Sequence, residues 1–116
     1  MPAAKYNLEV EQGATFTLAL AYKDANDVPI NLTGYSARMQ IRHKAGSASA
    51  LIDATTANGK IVLVAADGGI TVTVPATDTD ALTVTTGVYD LEIEDASSVV
   101  TRLLQGTVAI SKGVTR

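Results

Sequence analysis

Three groups of side chains offer chemistry. Asp90, Glu92 and Glu94 alternate along one stretch, Arg38, Arg42 and Lys44 along another, and Asp24, Asn26 and Asp27 crowd a third. Alternation at period two puts the three acids on one face of one strand and the three bases on one face of another. Catalytic carboxylate pairs work in a cleft where burial separates their pKa values. Acids that alternate with Tyr89, Leu91 and Ile93 lie instead on the wet side of a sheet. If the two strands are neighbours, the stripes face each other as cross-strand pairs, Arg38 and Arg42 against Glu92 and Asp90. Such surface pairs stabilise by only about 0.2–1 kcal/mol each, so their value lies in register and partner choice. Arg38, Arg42, Lys44, Asp90, Glu92 and Glu94 are therefore the candidate interaction face.

The remaining candidates reduce to structure. Asp24, Asn26 and Asp27 supply oxygen ligands but lack the alternate-position spacing, the glycine and the closing glutamate of a calcium loop, so they read as a turn. Asp78 and Asp80 read as acids in the first turn of a short helix. A phosphate or nucleic-acid patch at Arg38, Arg42, His43 and Lys44 would face an acidic stripe and find one Phe, four Tyr and no Trp to stack on, so no nucleic-acid partner is expected. Asn31-Leu32-Thr33 matches a glycosylation acceptor, and Asn31 is read as serving a turn. With no Cys and the single His43, thiol chemistry is excluded and acid–base catalysis is thinly supplied. No nucleophile elbow, phosphate loop or dinucleotide fingerprint occurs. The expectation is a protein that is not an enzyme, with no catalytic residue, cofactor or metal.

The elements that must position these residues are strands. In 116 residues with a formal net charge of −3 there is room for one domain, spanning 1–116. Apolar residues alternate with polar ones at Tyr6–Val10, Phe16–Tyr22, Tyr35–Ile41, Ile70–Val74 and Tyr89–Ile93. Turns are expected at Asp24–Asp27, Asn31–Gly34, Asp67–Gly69 and Asp95–Ser98, and Asn58-Gly59 is a favoured tight-turn pair between two short strands. Pro29 confines its short extended piece to an edge, and Pro75 ends a strand. Thr77 is expected to cap one helical turn at about 76–82. The last strand, about Val99 to Ser111, changes phase, and a bulge is expected at Gly106. Ala45–Ala50 is small and polar and reads as a mobile loop. The four tyrosines, Tyr6, Tyr22, Tyr35 and Tyr89, all fall on the apolar face of their strands. No signal-peptide core or membrane-length apolar run is present, so synthesis in the cytoplasm and no membrane partner are expected. Seven to nine short strands with turns roughly every ten residues indicate a β-sandwich or small barrel.

Several stretches carry a resemblance. They are Glu11–Phe16, Tyr22–Asp24, Pro29–Arg42, Gly69–Val72, Gly87–Glu92 and Val100–Val108. In this order the chain is similar to small β-sandwich proteins of tailed bacteriophages and prophages. The layout QG-x-T-F, P-I-N-L-T-G-Y, Y-D-L-E resembles the N-terminal domain of phage upper-baseplate proteins, which attaches a receptor-binding device to the tail. The resemblance implies an immunoglobulin-like antiparallel β-sandwich and a virion structural role in the tail, baseplate or fibre-attachment region. Its partners would be other virion proteins, and it would be present in multiple symmetry-related copies. Because the chain stops at Arg116 without a fibre-bearing second domain, a free-standing module is expected. Met1–Tyr6 and the Ala45–Ala50 loop are the expected docking segments. A capsid decoration protein is the alternative, and a carbohydrate-binding or adhesion module a further one.

Overall fold

The segments in which apolar and polar residues alternate become the central strands of two facing sheets. The computed structural model describes residues 4–113. In chain order its strands are β1 (Ala4–Lys5), β2 (Leu8–Glu11), β3 (Phe16–Ala21), β4 (Ser36–Arg42), β5 (Ile52–Thr55), β6 (Ile61–Val64), β7 (Gly69–Val74), β8 (Thr86–Glu94) and β9 (Val100–Ser111). One short helix, α1 (Ala76–Asp80), lies between β7 and β8. The larger sheet runs β1-β9-β8-β4-β5, with β2 also on β9, and the smaller runs β3-β7-β6. All pairings are antiparallel except those of β1 and β2, which run parallel to β9.

Alternation decides what fills the space between the sheets. Ala37, Met39 and Ile41 of β4, Leu91 and Ile93 of β8 and Ile70, Val72 and Val74 of β7 are all buried, with 5% exposure at most. Their neighbours in sequence point outward, as the pleat requires. Thr79 is the one buried polar residue among the described residues, and its hydroxyl is fully used. It donates to the Ala14 carbonyl at 2.8 Å and accepts from the Gly13 N–H at 3.1 Å. Beside it, Gln12 donates to the Leu82 carbonyl and accepts from the Gly113 N–H. This joint ties the end of β2 to the β7–β8 crossover and to the end of β9.

Asn58-Gly59 lies in a turn between two short strands, as expected; β5 pairs with β4 and β6 with β7, so this turn carries the chain from one sheet to the other. Three expectations are corrected. Thr77 does not cap α1; Pro75 occupies that position, with no side-chain cap. The helix is instead pinned by Thr79. The bulge of β9 is not at Gly106. Leu91 faces Leu104 and Glu92 faces Arg102, which leaves Leu103 as the extra residue. Gly106 serves a close approach, since a Cβ there would lie 2.5 Å from the Tyr6 carbonyl oxygen. Finally, Tyr6 is 53% exposed although its parity is apolar. At that level the inward position belongs to Tyr89, whose hydroxyl donates to the Tyr6 carbonyl.

The turns follow the expected chemistry. Asp24 Oδ1 accepts from the N–H groups of Asn26 and Val28, and Asp95 Oδ1 from those of Ser97 and Val99. Asn31 Oδ1 accepts from the Thr33 N–H and hydroxyl, which gives Asn31 its place in a turn.

Candidate functional site

The register of β4 on β8 places Arg38 opposite Glu92, Gln40 opposite Asp90 and Ser36 opposite Glu94. The acidic and basic stripes are therefore neighbours on the outer face of the larger sheet. Arg38 Nη2 lies 3.5 Å from Glu92 Oε1. The expected partnership of Arg42 with Asp90 does not form, because register puts Val88 opposite Arg42. Arg42 turns along its own strand instead. It donates to Gln40 Oε1 at 2.9 Å and to the Ser47 carbonyl at 2.7 Å, which fastens the Ala45–Ala50 loop to β4.

Asp90 is met from the other side. Arg102 of β9 brings Nε to 3.5 Å from Asp90 Oδ2 and Nη2 to 4.0 Å from Glu92 Oε2. The result is an alternating row, Arg38–Glu92–Arg102–Asp90, laid across three adjacent strands. Glu94 and Lys44 stand outside this row among the described residues; Lys44 lies past the end of β4. Arg102 was not among the expected residues, and the phase of β9 hid it. Exposed positions on that strand step from Arg102 to Gln105 across the bulge. The adjacent large apolar pair Leu103-Leu104 is the sequence signal of that step, since both residues turn partly inward.

Next to the row the face dips into a depression of about 450 Å³ lined by Lys5, Gln40, Arg42, Asp90, Arg102 and Gln105, among others. Its lining offers ionic and hydrogen-bonding contacts and no nucleophile with a base beside it. His43 lies outside it, with Nδ1 3.1 Å from the Thr86 carbonyl oxygen, so Nδ1 carries the proton in that contact. Asp78 is held by Lys60 at 2.7 Å and forms no carboxylate pair with Asp80. Among the described residues no three His, Asp or Glu side chains gather as a metal group. Of the two expected docking segments, Met1–Ala3 lies outside the described residues, and Ala4-Lys5 forms β1.

No family model and no curated protein sequence matches the chain. Among solved structures, it is similar to the immunoglobulin-like domain of mouse leukocyte-associated immunoglobulin-like receptor 1, crystallised as a strand-swapped dimer. The TM-score is 0.52 at 12% identity, over 90% of this chain and 86% of that one. The likeness shows the fold, an immunoglobulin-like β-sandwich.

Proposed function

We propose that the chain is a non-enzymatic structural protein of a tailed-phage virion, an interaction module of the tail, baseplate or fibre-attachment region. What carries this reading is the resemblance of those stretches, in order and spacing, to phage baseplate-type sandwiches. The structure supports it by giving those residues architectural work. Gln12 and Gly13 make the joint with Leu82 and Thr79, Leu32 is buried beneath its turn, and Tyr89 and Leu91 belong to the core. What remains for recognition is the outer face of the larger sheet, where the ion-paired row is fixed on three hydrogen-bonded strands. A row of alternating charge selects a partner carrying the complementary pattern.

Two measurements test the reading. Quantitative proteomics on purified particles of the source phage, scaled to the major capsid protein, should return copies on the order of tens, as rings of tail symmetry require. Copies on the order of hundreds would mean capsid decoration instead, and absence from particles would overturn the virion reading. For the docking face, Arg38→Glu should change the stability of the isolated domain by less than about 1 kcal/mol, because Arg38 is well exposed. The same change should abolish incorporation into particles. Normal incorporation would sink the assignment of this face.

A further inference from the structure

β3 is paired with β7 on one side and, among the described residues, with nothing on the other. The Tyr22 N–H donates to the Gly68 carbonyl at 2.8 Å and so continues the β3–β7 register by one residue. Backbone groups of successive residues in an antiparallel pair alternate between the two sides. Leu18 and Leu20 therefore bond to β7, while the N–H and C=O groups of Thr17, Ala19 and Ala21 face the open side. Other sheet edges are obstructed or short. The Asn58 side chain occupies the edge of β5, donating to the Asp53 carbonyl and accepting from the Thr55 N–H. β2 carries Glu9 and Glu11, and β6 has only four residues. β3 has six residues and no charge, proline or bulge to block pairing. The core is also open there. Phe16, Leu18 and Leu20 are only half-buried, whereas Ile70, Val72 and Val74 opposite them are wholly buried. A gap of about 350 Å³ separates Leu20 and Tyr22 from Ala4 and Leu103.

We propose that β3 pairs antiparallel with β3 of a second copy across a two-fold axis at Ala19, joining two three-stranded sheets into one of six. Directly opposed residues must share a sheet face, so the axis passes through a residue and not between two. An axis at Ala19 sets Thr17 against Ala21, Leu18 against Leu20 and Phe16 against Tyr22. Each of the three outward residues then satisfies both of its backbone groups. The second copy is the occupant because a two-fold axis turns an edge against itself, where any charge would meet its like. The stretch from Thr15 to Tyr22 has no charge to repel its copy. The pairing is independent of the virion reading and belongs to the chain in isolation.

The test is sedimentation equilibrium of the full chain with amide hydrogen exchange on the same sample. The wild type should have twice the 12.0 kDa mass of one chain. Ala19 is exposed, so Ala19→Lys should stay folded, and by setting two cations face to face it should sediment as a single chain. Thr73→Lys, on the outer face of β7 and away from the edge, should remain dimeric. In the wild type the amides of Thr17, Ala19 and Ala21 should be protected along with Leu18 and Leu20. In Ala19→Lys only Leu18 and Leu20 should stay protected. A wild type that remains a single chain up to about 1 mM overturns the proposal. So does a dimer in which the Thr17, Ala19 and Ala21 amides exchange freely, a result that decides the matter even if Ala19→Lys fails to fold.

Discussion

The Tyr89 hydroxyl reaches the Tyr6 carbonyl from a residue only 5% exposed, and that contact fastens β1 and β2 to the sheet from beneath. Burial, with a smaller contribution from the neighbouring Tyr6 phenol, pushes the Tyr89 pKa up from 10 to about 12. The folded state thus favours the neutral phenol. Its advantage is complete below pH 10, where the unfolded chain also keeps the proton, and is lost as pH rises through about 12. Tyr89→Phe should cost about 1 kcal/mol near neutrality through the lost hydrogen bond. Between pH 10 and pH 12 the urea midpoint of the wild type should fall relative to that of Tyr89→Phe, which lacks this titration. Residue scale is also where the candidate site was most legible. Arg38 against Glu92 follows from alternation once β4 and β8 are neighbours, because both strands keep their phase. Arg42 against Asp90 does not, since the same register sets Asp90 opposite Gln40, two residues along β4 from Arg42.

At the scale of elements, the joint around Thr79 explains why a five-residue helix holds its place without a side-chain cap. Thr79→Val preserves the shape and removes the hydroxyl, leaving the Gly13 N–H and Ala14 carbonyl without it. The expected loss is about 1–3 kcal/mol by chemical denaturation, with Thr79→Ser restoring most of it. Gly106 works by what it lacks. In Gly106→Ala the new methyl meets the Tyr6 carbonyl at 2.5 Å, so β1 and β2 must lift from β9. A loss of about 1–3 kcal/mol is expected, with amide exchange accelerated first at Tyr6, whose N–H bonds to Gln105. The strands themselves were legible wherever one face is buried, as in β4, β7 and β8, because hydrophobic phase then repeats without interruption. The bulge at Leu103 was not, because Gly106 offered a more familiar explanation for the same phase change. The Asn58-Gly59 turn was legible as a turn and no more, because turn chemistry specifies a local reversal and is silent on which sheet the next strand joins.

Over the whole molecule the two outer faces differ in kind. One carries the Arg38–Glu92–Arg102–Asp90 row, and the other presents Thr17, Ala19, Thr71, Thr73, Val62 and Val64 with no charge among them. Alternation made each face legible in composition, while strand order, which decides what adjoins what, depends on contacts between distant parts of the chain. The pairing of the first strands with the last is the extreme case, with Leu8 facing Val108 and Glu11 facing Ser111. Because β2 and β9 run parallel, tension applied ahead of Ala4 and beyond Gly113 draws the two strands past one another lengthwise. The rungs between them must then yield together, where a hairpin pulled open at its free ends would yield one rung at a time. A molecule joined end to end with its neighbours would meet stretching at its most resistant seam, and rupture under load would begin with the sliding of β2 against β9.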